Sequence, residues 1–123
     1  MPLTGGCLCG QVRYTIAADP LFTGICHCTN CQKQSGAAFS VNVGVQAAAL
    51  AVNGTLKTYV DHGDSGREVL RHFCPNCGSP IISDAAAYPG IRIIKAGTLD
   101  TPSAVTPQRQ IFCARAFVTQ VDA

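Results

Sequence analysis

Hydrophobic and polar residues alternate along several short stretches of the chain. Every second position is hydrophobic in QVRYTI (11–16) and again in FSVNVGV (39–45). Such alternation is typical of a β-strand with one buried face, because successive side chains of a strand point to opposite sides. Four more stretches have strand-like composition, and we predict strands at LKTYV (56–60), REVLRHF (67–73), IRIIKAG (91–97) and IFCARAFV (111–118).

Helical signals are few. The stretch from Thr29 to Ser35 is expected to form one short turn, with Gly36 ending it. QAAALAV (46–52) contains helix formers but stands between strand patterns, so a single turn near 47–49 is the most it supports. The pattern therefore predicts one domain over residues 1–123, mainly β, with antiparallel sheets and at most short helical turns.

Composition narrows the class of protein. Hydrophobic residues make up 47% of the 123 residues, enough for a core, and the formal charge of +2 is too small to favour nucleic acid or an anionic membrane surface as a partner. No apolar run approaches the ~20 residues of a membrane span, and the N-terminus lacks the features of a signal peptide. We therefore expect a cytoplasmic protein with reduced thiols. The sequence does not indicate an oligomeric state.

The chain contains eight cysteines, and seven of them lie in close clusters. A disulfide scaffold is one interpretation, but neighbouring cysteines in a Cys-x-Cys pair bond to each other only with distortion, and an export signal is lacking. Metal binding is therefore favoured over disulfides.

Two pairs of cysteines lie far apart in sequence, in CLCG (7–10) and CPNCG (74–78). The second pair has the spacing of a zinc knuckle, in which two thiolates from one tight turn face one ion. Together the pairs predict a structural zinc site with four cysteines: Cys7, Cys9, Cys74 and Cys77. Closing a loop of roughly 65 residues through an ion would stabilise a small β domain considerably. The alternative is that these cysteines are merely small buried hydrophobic residues.

The remaining cluster, CHCTNC (26–31), has three thiols: Cys26, Cys28 and Cys31. Three protein ligands with a free fourth position are typical of catalytic zinc. His27 should point away from its two neighbours in an extended Cys-x-Cys, so we do not expect it to bind the metal. Cys113 is a possible fourth ligand, although its apolar surroundings favour a buried hydrophobic role.

The ligand type indicates the chemistry of this second site. Three thiolates with one Zn²⁺ carry a net charge of −1, which weakens the ion as a Lewis acid. Such a site suits a fourth sulfur ligand better than hydroxide. We therefore expect a substrate thiol and a reaction at sulfur.

Four ordered motifs resemble one known family. GGCLCGQVRY, CHCTNCQKQSGAAF, RHFCPNCGSPI and AGTLDTP are similar to the glutathione-dependent formaldehyde-activating (GFA) family, also called the CENP-V/GFA family, over roughly residues 3–117. The resemblance implies a β-tent fold, the same four structural ligands, and a second zinc site at the other three cysteines. It also implies a carbon–sulfur lyase that forms S-hydroxymethylglutathione, with the glutathione thiol reaching the second zinc. Family members commonly carry His-Ile and a closing tryptophan in the last strand, where this chain has Gln110, Ile111 and Phe117.

Other residues are candidates for substrate or cofactor binding. Lys33 and Ser35 follow the third ligand and could meet a substrate carboxylate. Arg71 and His72 precede the second knuckle, and one of the two could donate a hydrogen bond near a metal-bound sulfur. As neighbours in a strand they should face opposite ways. All four are also ordinary surface or strand residues in the simpler interpretation.

Three functions remain open from the sequence. The first is a zinc-dependent carbon–sulfur lyase with Cys26, Cys28 and Cys31 as its catalytic centre, acting on an adduct of a thiol such as glutathione. The second is a non-catalytic zinc-stabilised module that binds a protein or a thiol metabolite. The third is an iron–sulfur protein, although the Cys-x-Cys pairs do not match ferredoxin spacings.

Overall fold

The computed structural model describes residues 2–118. Within this range no helix is long and apolar enough to cross a membrane. The described chain forms ten strands and one short α-helix, together with four 3-10 turns. These elements are β1 Leu3–Gly6, β2 Arg13–Ile16, β3 Phe22–Cys26, α1 Thr29–Ser35, β4 Ser40–Gln46, β5 Leu50–Asn53, β6 Lys57–His62, β7 Glu68–Phe73, β8 Pro80–Ala85, β9 Ile91–Lys95 and β10 Arg109–Ile111.

The strands form two sheets. The larger sheet has the order β10-β3-β4-β9-β8-β7-β6, and the smaller has the order β1-β2-β5. All neighbouring strands are antiparallel except β10, which runs parallel to β3 at one edge of the larger sheet. The prediction of a mainly β fold with mostly antiparallel sheets is confirmed.

The hydrophobic core includes residues from both sheets. Val43 and Val45 of β4 and Ile81 of β8 are almost completely buried, and they cluster with buried residues of the smaller sheet. Burying such a side chain contributes roughly 1.5–3 kcal/mol to folding. Hydrophobic and polar residues alternate in FSVNVGV because the inward-facing valines of β4 pack against the smaller sheet.

The smaller sheet is also attached by polar contacts. The Tyr14 hydroxyl on β2 is hydrogen-bonded to the Thr98 hydroxyl at 2.8 Å, and Arg13 Nη1 donates to Asp100 at 2.8 Å. A Cβ on Gly5 would collide with the Tyr14 hydroxyl and the Thr98 carbonyl. Glycine at position 5 therefore allows the two sheets to approach closely.

Several predicted elements are confirmed and one is wrong. The helix at 29–35 and the turn at 47–49 occur where they were expected, and α1 ends at Gly36, which has a φ of +66°. The long strand predicted over 111–118 is wrong, since β10 ends at Ile111 and residues 113–115 form a 3-10 turn. Phe112 has a φ of +56°, and this left-handed conformation interrupts the extended backbone.

Four strands were missed by the sequence analysis. Three of them, β1, β3 and β5, are short, and β1 and β3 contain glycine, which weakens a strand signal. The fourth, β8, contains consecutive buried isoleucines, Ile81 and Ile82. A strand that is covered on both faces loses the alternation by which it could be detected.

Candidate metal centres and the adjoining cavity

Two tight turns bring four cysteines together at the junction of the two sheets. Cys7 and Cys9 follow β1, whereas Cys74 and Cys77 lie between β7 and β8. All four sulfur atoms lie within 4.8 Å of one another. Cys9 Sγ is 3.5 Å from Cys7 Sγ and 3.7 Å from Cys74 Sγ. The four-cysteine cluster therefore connects parts of the chain that are distant in sequence.

Hydrogen bonds orient these sulfur atoms. The Val12 N–H donates to Cys7 Sγ at 3.2 Å. The Leu8 N–H donates to Ser79 Oγ at 3.1 Å, and the same hydroxyl lies 3.2 Å from Cys77 Sγ. Ser79 thus contacts both turns, and its hydroxyl can donate to a thiolate. The pKa of Cys77 is lowered to about 5, mainly by the Ser79 side chain and then by backbone N–H groups.

The other three cysteines lie in one continuous segment. Cys26 ends β3, Cys28 caps the N-terminus of α1, and Cys31 is in the first turn of that helix. Cys28 Sγ accepts a hydrogen bond from the Cys31 N–H at 3.3 Å, as a serine does at the same position of many helices. The three sulfur atoms lie within 4.8 Å of one another, with Cys26 and Cys31 buried and Cys28 half-buried.

The thiols of this three-cysteine cluster ionise unequally. The pKa of Cys31 is lowered to about 5, first because the Cys26 thiol donates a hydrogen bond to it, and further by the positive charges of Lys95 and Arg71. The pKa of Cys26 is raised, mainly because its proton is shared with Cys31. Cys31 therefore loses its proton more readily than Cys26.

Both clusters fit zinc by the chemistry of their donors. Tetrahedral zinc holds sulfur at ~2.3 Å, which places neighbouring sulfur atoms roughly 3.8 Å apart. The measured sulfur–sulfur distances of 3.5 and 3.7 Å in the four-cysteine cluster are close to that value. Either cluster could hold a metal ion, and thiolates favour zinc over harder cations such as magnesium.

The three-cysteine cluster opens onto a cavity of about 440 Å³. This volume is within the range of small-molecule sites, roughly 300–1,000 Å³. The larger sheet forms the floor, and the wall includes residues 63–65 and the turn after β10. A small molecule could therefore reach all three sulfur atoms from this side.

Side-chain contacts attach α1 to the walls of the cavity. The Asn30 side-chain amide donates to both carboxylate oxygens of Asp61, at 3.2 and 3.0 Å. Asp61 in turn accepts a hydrogen bond from Arg71 Nε at 3.0 Å. The Gln32 amide donates to the carbonyl oxygens of His27 and Arg115, at 2.8 and 2.9 Å. These contacts hold the helix, and with it Cys31, against β6 and the turn that follows β10.

His27 is buried beside the cluster, although it does not belong to it. Its Nε2 atom is 2.8 Å from the Gln110 side-chain oxygen, and its ring packs edge-on against Phe39. Gln110 stands where the resembled family commonly has histidine, and here it orients the ring of His27. The expectation that His27 points away from its cysteine neighbours agrees with this arrangement.

The predicted helper residues lie in different places. Lys33 is exposed on α1, and the Ser35 hydroxyl donates to the backbone carbonyls of Gln32 and Phe39. His72 Nδ1 is 2.7 Å from the Thr58 hydroxyl, and burial lowers the pKa of His72. These three candidates lie outside the cavity lining, whereas Arg71 belongs to it.

Two buried polar residues that line the cavity, Ser83 and Lys95, were not predicted from the sequence. Both are buried, with exposed fractions of 4% and 6%. A lysine directly after two isoleucines in IRIIKAG was the available signal, because lysine is almost never fully buried without a partner.

Cys113 is exposed in the turn after β10, and it does not belong to either described cysteine cluster. The expectation that it is a buried hydrophobic residue is therefore wrong. The reason is the end of β10 at Ile111, which takes Cys113 out of the sheet.

Comparisons with known proteins agree with the motifs. Residues 2–115 match the family model described as glutathione-dependent formaldehyde-activating enzyme. A Halomonas elongata protein named as a putative form of the same enzyme is 28% identical in an alignment of 114 residues that covers 89% of this chain and 73% of the relative. A crystal structure of a Rhodobacter sphaeroides protein superposes with a TM-score of 0.67 at 18% identity, covering 87% of this chain and 98% of the other. The last similarity concerns the fold alone.

Proposed function

Because the chain belongs to the glutathione-dependent formaldehyde-activating enzyme family, we propose that it is a zinc-dependent carbon–sulfur lyase. Its substrate would be a thiol adduct, S-hydroxymethylglutathione, formed from glutathione and formaldehyde. The observation that carries this proposal is the three-cysteine cluster, with its sulfur atoms within 4.8 Å of one another at the end of a 440 Å³ cavity.

The two clusters would have different roles. Cys7, Cys9, Cys74 and Cys77 would hold a structural zinc with all four positions filled by protein. Cys26, Cys28 and Cys31 would hold a second zinc, leaving one position for a ligand from the cavity. When bound there, zinc would supply the positive charge that keeps a substrate sulfur ionised near neutral pH.

The reaction itself requires little acid–base chemistry. In the forward direction the thiol gives up its proton, its sulfur bonds to the aldehyde carbon as the C=O π bond opens, and the carbonyl oxygen takes up a proton. In the reverse direction that carbon–sulfur bond breaks and the proton is returned. The chain's contribution would be to position the two reactants in the cavity, which converts a bimolecular encounter into a local one.

Charged residues near the cluster support a thiolate substrate. Lys95 and Arg71 already lower the pKa of Cys31, and the same positive charges would favour an ionised sulfur beside it. The buried positions of Cys26 and Cys31 limit access of water to one side of the site.

The proposal is tested by measuring exchange between glutathione and ¹³C-labelled formaldehyde by NMR, with the zinc-loaded protein. We expect the wild-type protein to accelerate exchange and Cys28→Ser to return it to the uncatalysed rate. Serine should still cap α1, so the variant should fold. Cys113→Ser is the matched control, because it removes an exposed thiol outside both clusters. Equal exchange rates with Cys28→Ser and Cys113→Ser would contradict the proposal.

A further inference from the structure

The floor of the cavity carries a buried hydroxyl without a partner. Ser83 Oγ on β8 makes no hydrogen bond to any residue in the described part of the chain. Ser83 is in register with Arg71 on β7 and with Ile93 on β9. Residues directly opposite each other in antiparallel strands point to the same face, and all three line the cavity. The hydroxyl therefore lies at the base of the cavity.

A buried ammonium lies on the same face. Lys95 is two positions beyond Ile93 on β9, so both side chains point to the cavity side of the sheet. Lys95 Nζ donates to Ser40 Oγ at 2.9 Å and is 3.3 Å from Asn42 Oδ1. Both of these partners are uncharged, and one of the three ammonium donors remains available. Between residues 2 and 118, no carboxylate forms an ion pair with Lys95.

Arg71 adds a second cation to the same floor. Its Nε atom donates to Asp61, while its two terminal nitrogens make no hydrogen bond to any described side chain or backbone group. The lining as a whole is positive, because five cationic residues face only two acidic ones. The cationic residues are Arg67, Arg71, Lys95, Arg109 and Arg115, and the acidic ones are Asp64 and Glu68.

This arrangement suits an oxyanion. An ionised Cys31 sulfur would act on Lys95 as a nearby negative charge, but the direct hydrogen-bond partners of the ammonium are uncharged. A bound carboxylate would therefore add a direct ion pair to a buried cation. Hydrogen bonds from charged donors to a carboxylate are roughly twice as strong as neutral ones. An ammonium, a guanidinium and a hydroxyl on one floor are together the donor set that a carboxylate requires.

The floor is also close to the sulfur chemistry. Ser40, which accepts the hydrogen bond from Lys95, is the register partner of Cys26. The Cβ atoms of such partners are ~4.5–5.5 Å apart. A compound with its sulfur at the three-cysteine cluster could therefore place a carboxylate against Lys95.

We propose that Lys95, Arg71 and Ser83 form a carboxylate-binding subsite that selects anionic thiol adducts. The inference rests on the proposed function, since it assumes that the adduct sulfur lies at Cys26, Cys28 and Cys31. In an adduct of formaldehyde the carboxylate belongs to the thiol half, whereas an aldehyde that itself carries a carboxylate could supply it from the aldehyde half. The sequence analysis expected a substrate carboxylate at Lys33 and Ser35, which lie outside the cavity lining, and the subsite moves this contact to β7, β8 and β9.

The test measures binding of non-reacting thioethers to the zinc-loaded protein by isothermal titration calorimetry. S-methylglutathione, with its carboxylates free, is compared with its dimethyl ester. We expect the free acid to bind the wild-type protein at least tenfold more tightly than the ester. Lys95→Met should abolish this preference and Ser83→Ala should reduce it several-fold, since each loses a donor to the carboxylate.

The variants have matched controls. Lys57→Met removes an exposed lysine on β6 and should keep the wild-type preference, which separates a local contact from net charge. Ser83→Ala removes a hydroxyl that has no partner in the described chain, so it should fold even if Lys95→Met does not. Equal affinities of acid and ester for the wild-type protein would overturn the subsite. The subsite would also be overturned if Ser83→Ala and folded Lys95→Met both kept the preference for the free acid. Loss of that preference in Lys33→Met instead would overturn it as well.

A second pair of ligands identifies which half of the adduct carries the charge. The carboxymethyl thioether of 2-mercaptoethanol carries its one carboxylate on the carbon that corresponds to the aldehyde carbon. Its methyl ester masks that carboxylate. A preference that depends on Lys95 in this pair assigns the carboxylate to the aldehyde half, and the same preference in the glutathione pair assigns it to the thiol half. Because binding is measured without reaction, an intact preference in a protein that does not accelerate exchange would refute the proposed function and keep the subsite.

Discussion

The two cysteine clusters differ in how much of the chain they join. The four-cysteine cluster brings together turns that are 65 residues apart, from Cys9 to Cys74, and it does so where the smaller sheet meets the larger one. The three-cysteine cluster takes all its ligands from residues 26–31 and constrains only the junction of β3 and α1. The first cluster joins distant parts of the chain, whereas the second faces a cavity and contributes little to chain connectivity.

The surroundings of the sulfur atoms differ in the same sense. In the four-cysteine cluster, the Val12 N–H donates to Cys7 Sγ and the Ser79 hydroxyl contacts Cys77 Sγ, so groups of the turns themselves surround these thiols. In the three-cysteine cluster, the nearby charges of Lys95 and Arg71 come from the cavity floor. We therefore expect a structural role for the cluster that joins distant turns and a chemical role for the cluster that faces the cavity.

The largest expected effect is on stability. Cys74→Ser removes a fully buried ligand of the four-cysteine cluster, and we expect it to lower the free energy of unfolding by at least several kcal/mol or to prevent folding. The reason is that zinc in a structural site contributes on the order of 10 kcal/mol of binding energy, which is available only to the folded chain. Urea denaturation of the zinc-loaded protein measures this effect.

Two variants calibrate that measurement. Cys113→Ser should change the free energy of unfolding by less than about 0.5 kcal/mol, as expected for an exposed position, and Cys28→Ser should lower it only moderately because serine keeps the helix cap. Equal free energies of unfolding for Cys74→Ser and Cys28→Ser would contradict the idea that the two clusters differ in how much they stabilise the chain.

The cysteine partition was predictable because it depends on local spacing. CLCG and CPNCG each form a tight turn whatever surrounds them, and residues 29–35 form the expected helix ended by Gly36. The assignment of a sulfur site to residues 26–31 followed from ligand number alone. The turns and the helix depend on residues that are neighbours in sequence, and the pairing of the two turns was predicted from the four ligands of a closed zinc site.

The cavity floor could not be predicted in the same way. Lys95, Ser83 and Arg71 come from three strands, and only the register of β7, β8 and β9 brings them to one face. The strand β8 had no alternation to reveal it, since it is buried on both sides. Without β8, neither the partners of Arg71 nor the position of Ser83 could be derived from the sequence.

A smaller expected effect concerns the polar contacts that attach the smaller sheet without a metal ion. Burial raises the pKa of Tyr14 to about 12, so the unfolded chain ionises more readily in alkali. The stabilisation is fully present below the ordinary pKa of tyrosine, about 10, and is lost as the pH rises towards the pKa of the folded state. Between pH 9 and 11 the free energy of unfolding should fall by about 1 kcal/mol for this reason.

Tyr14→Phe isolates this contribution, because it cannot ionise. Denaturation curves of the wild-type protein and Tyr14→Phe across this range should converge as the pH rises, in protein whose zinc content is checked at each pH. A constant difference between the two would show that the Tyr14 hydroxyl is not buried at the junction of the sheets.

The most direct test of the two-cluster account is zinc content per chain by elemental analysis, on protein purified anaerobically without chelators. We expect two zinc ions for the wild-type protein and one for Cys31→Ser, which should remain folded because the four-cysteine cluster is intact. A wild-type protein with one zinc ion, and the same content in Cys31→Ser, would contradict the account, since the three-cysteine cluster would then hold no metal.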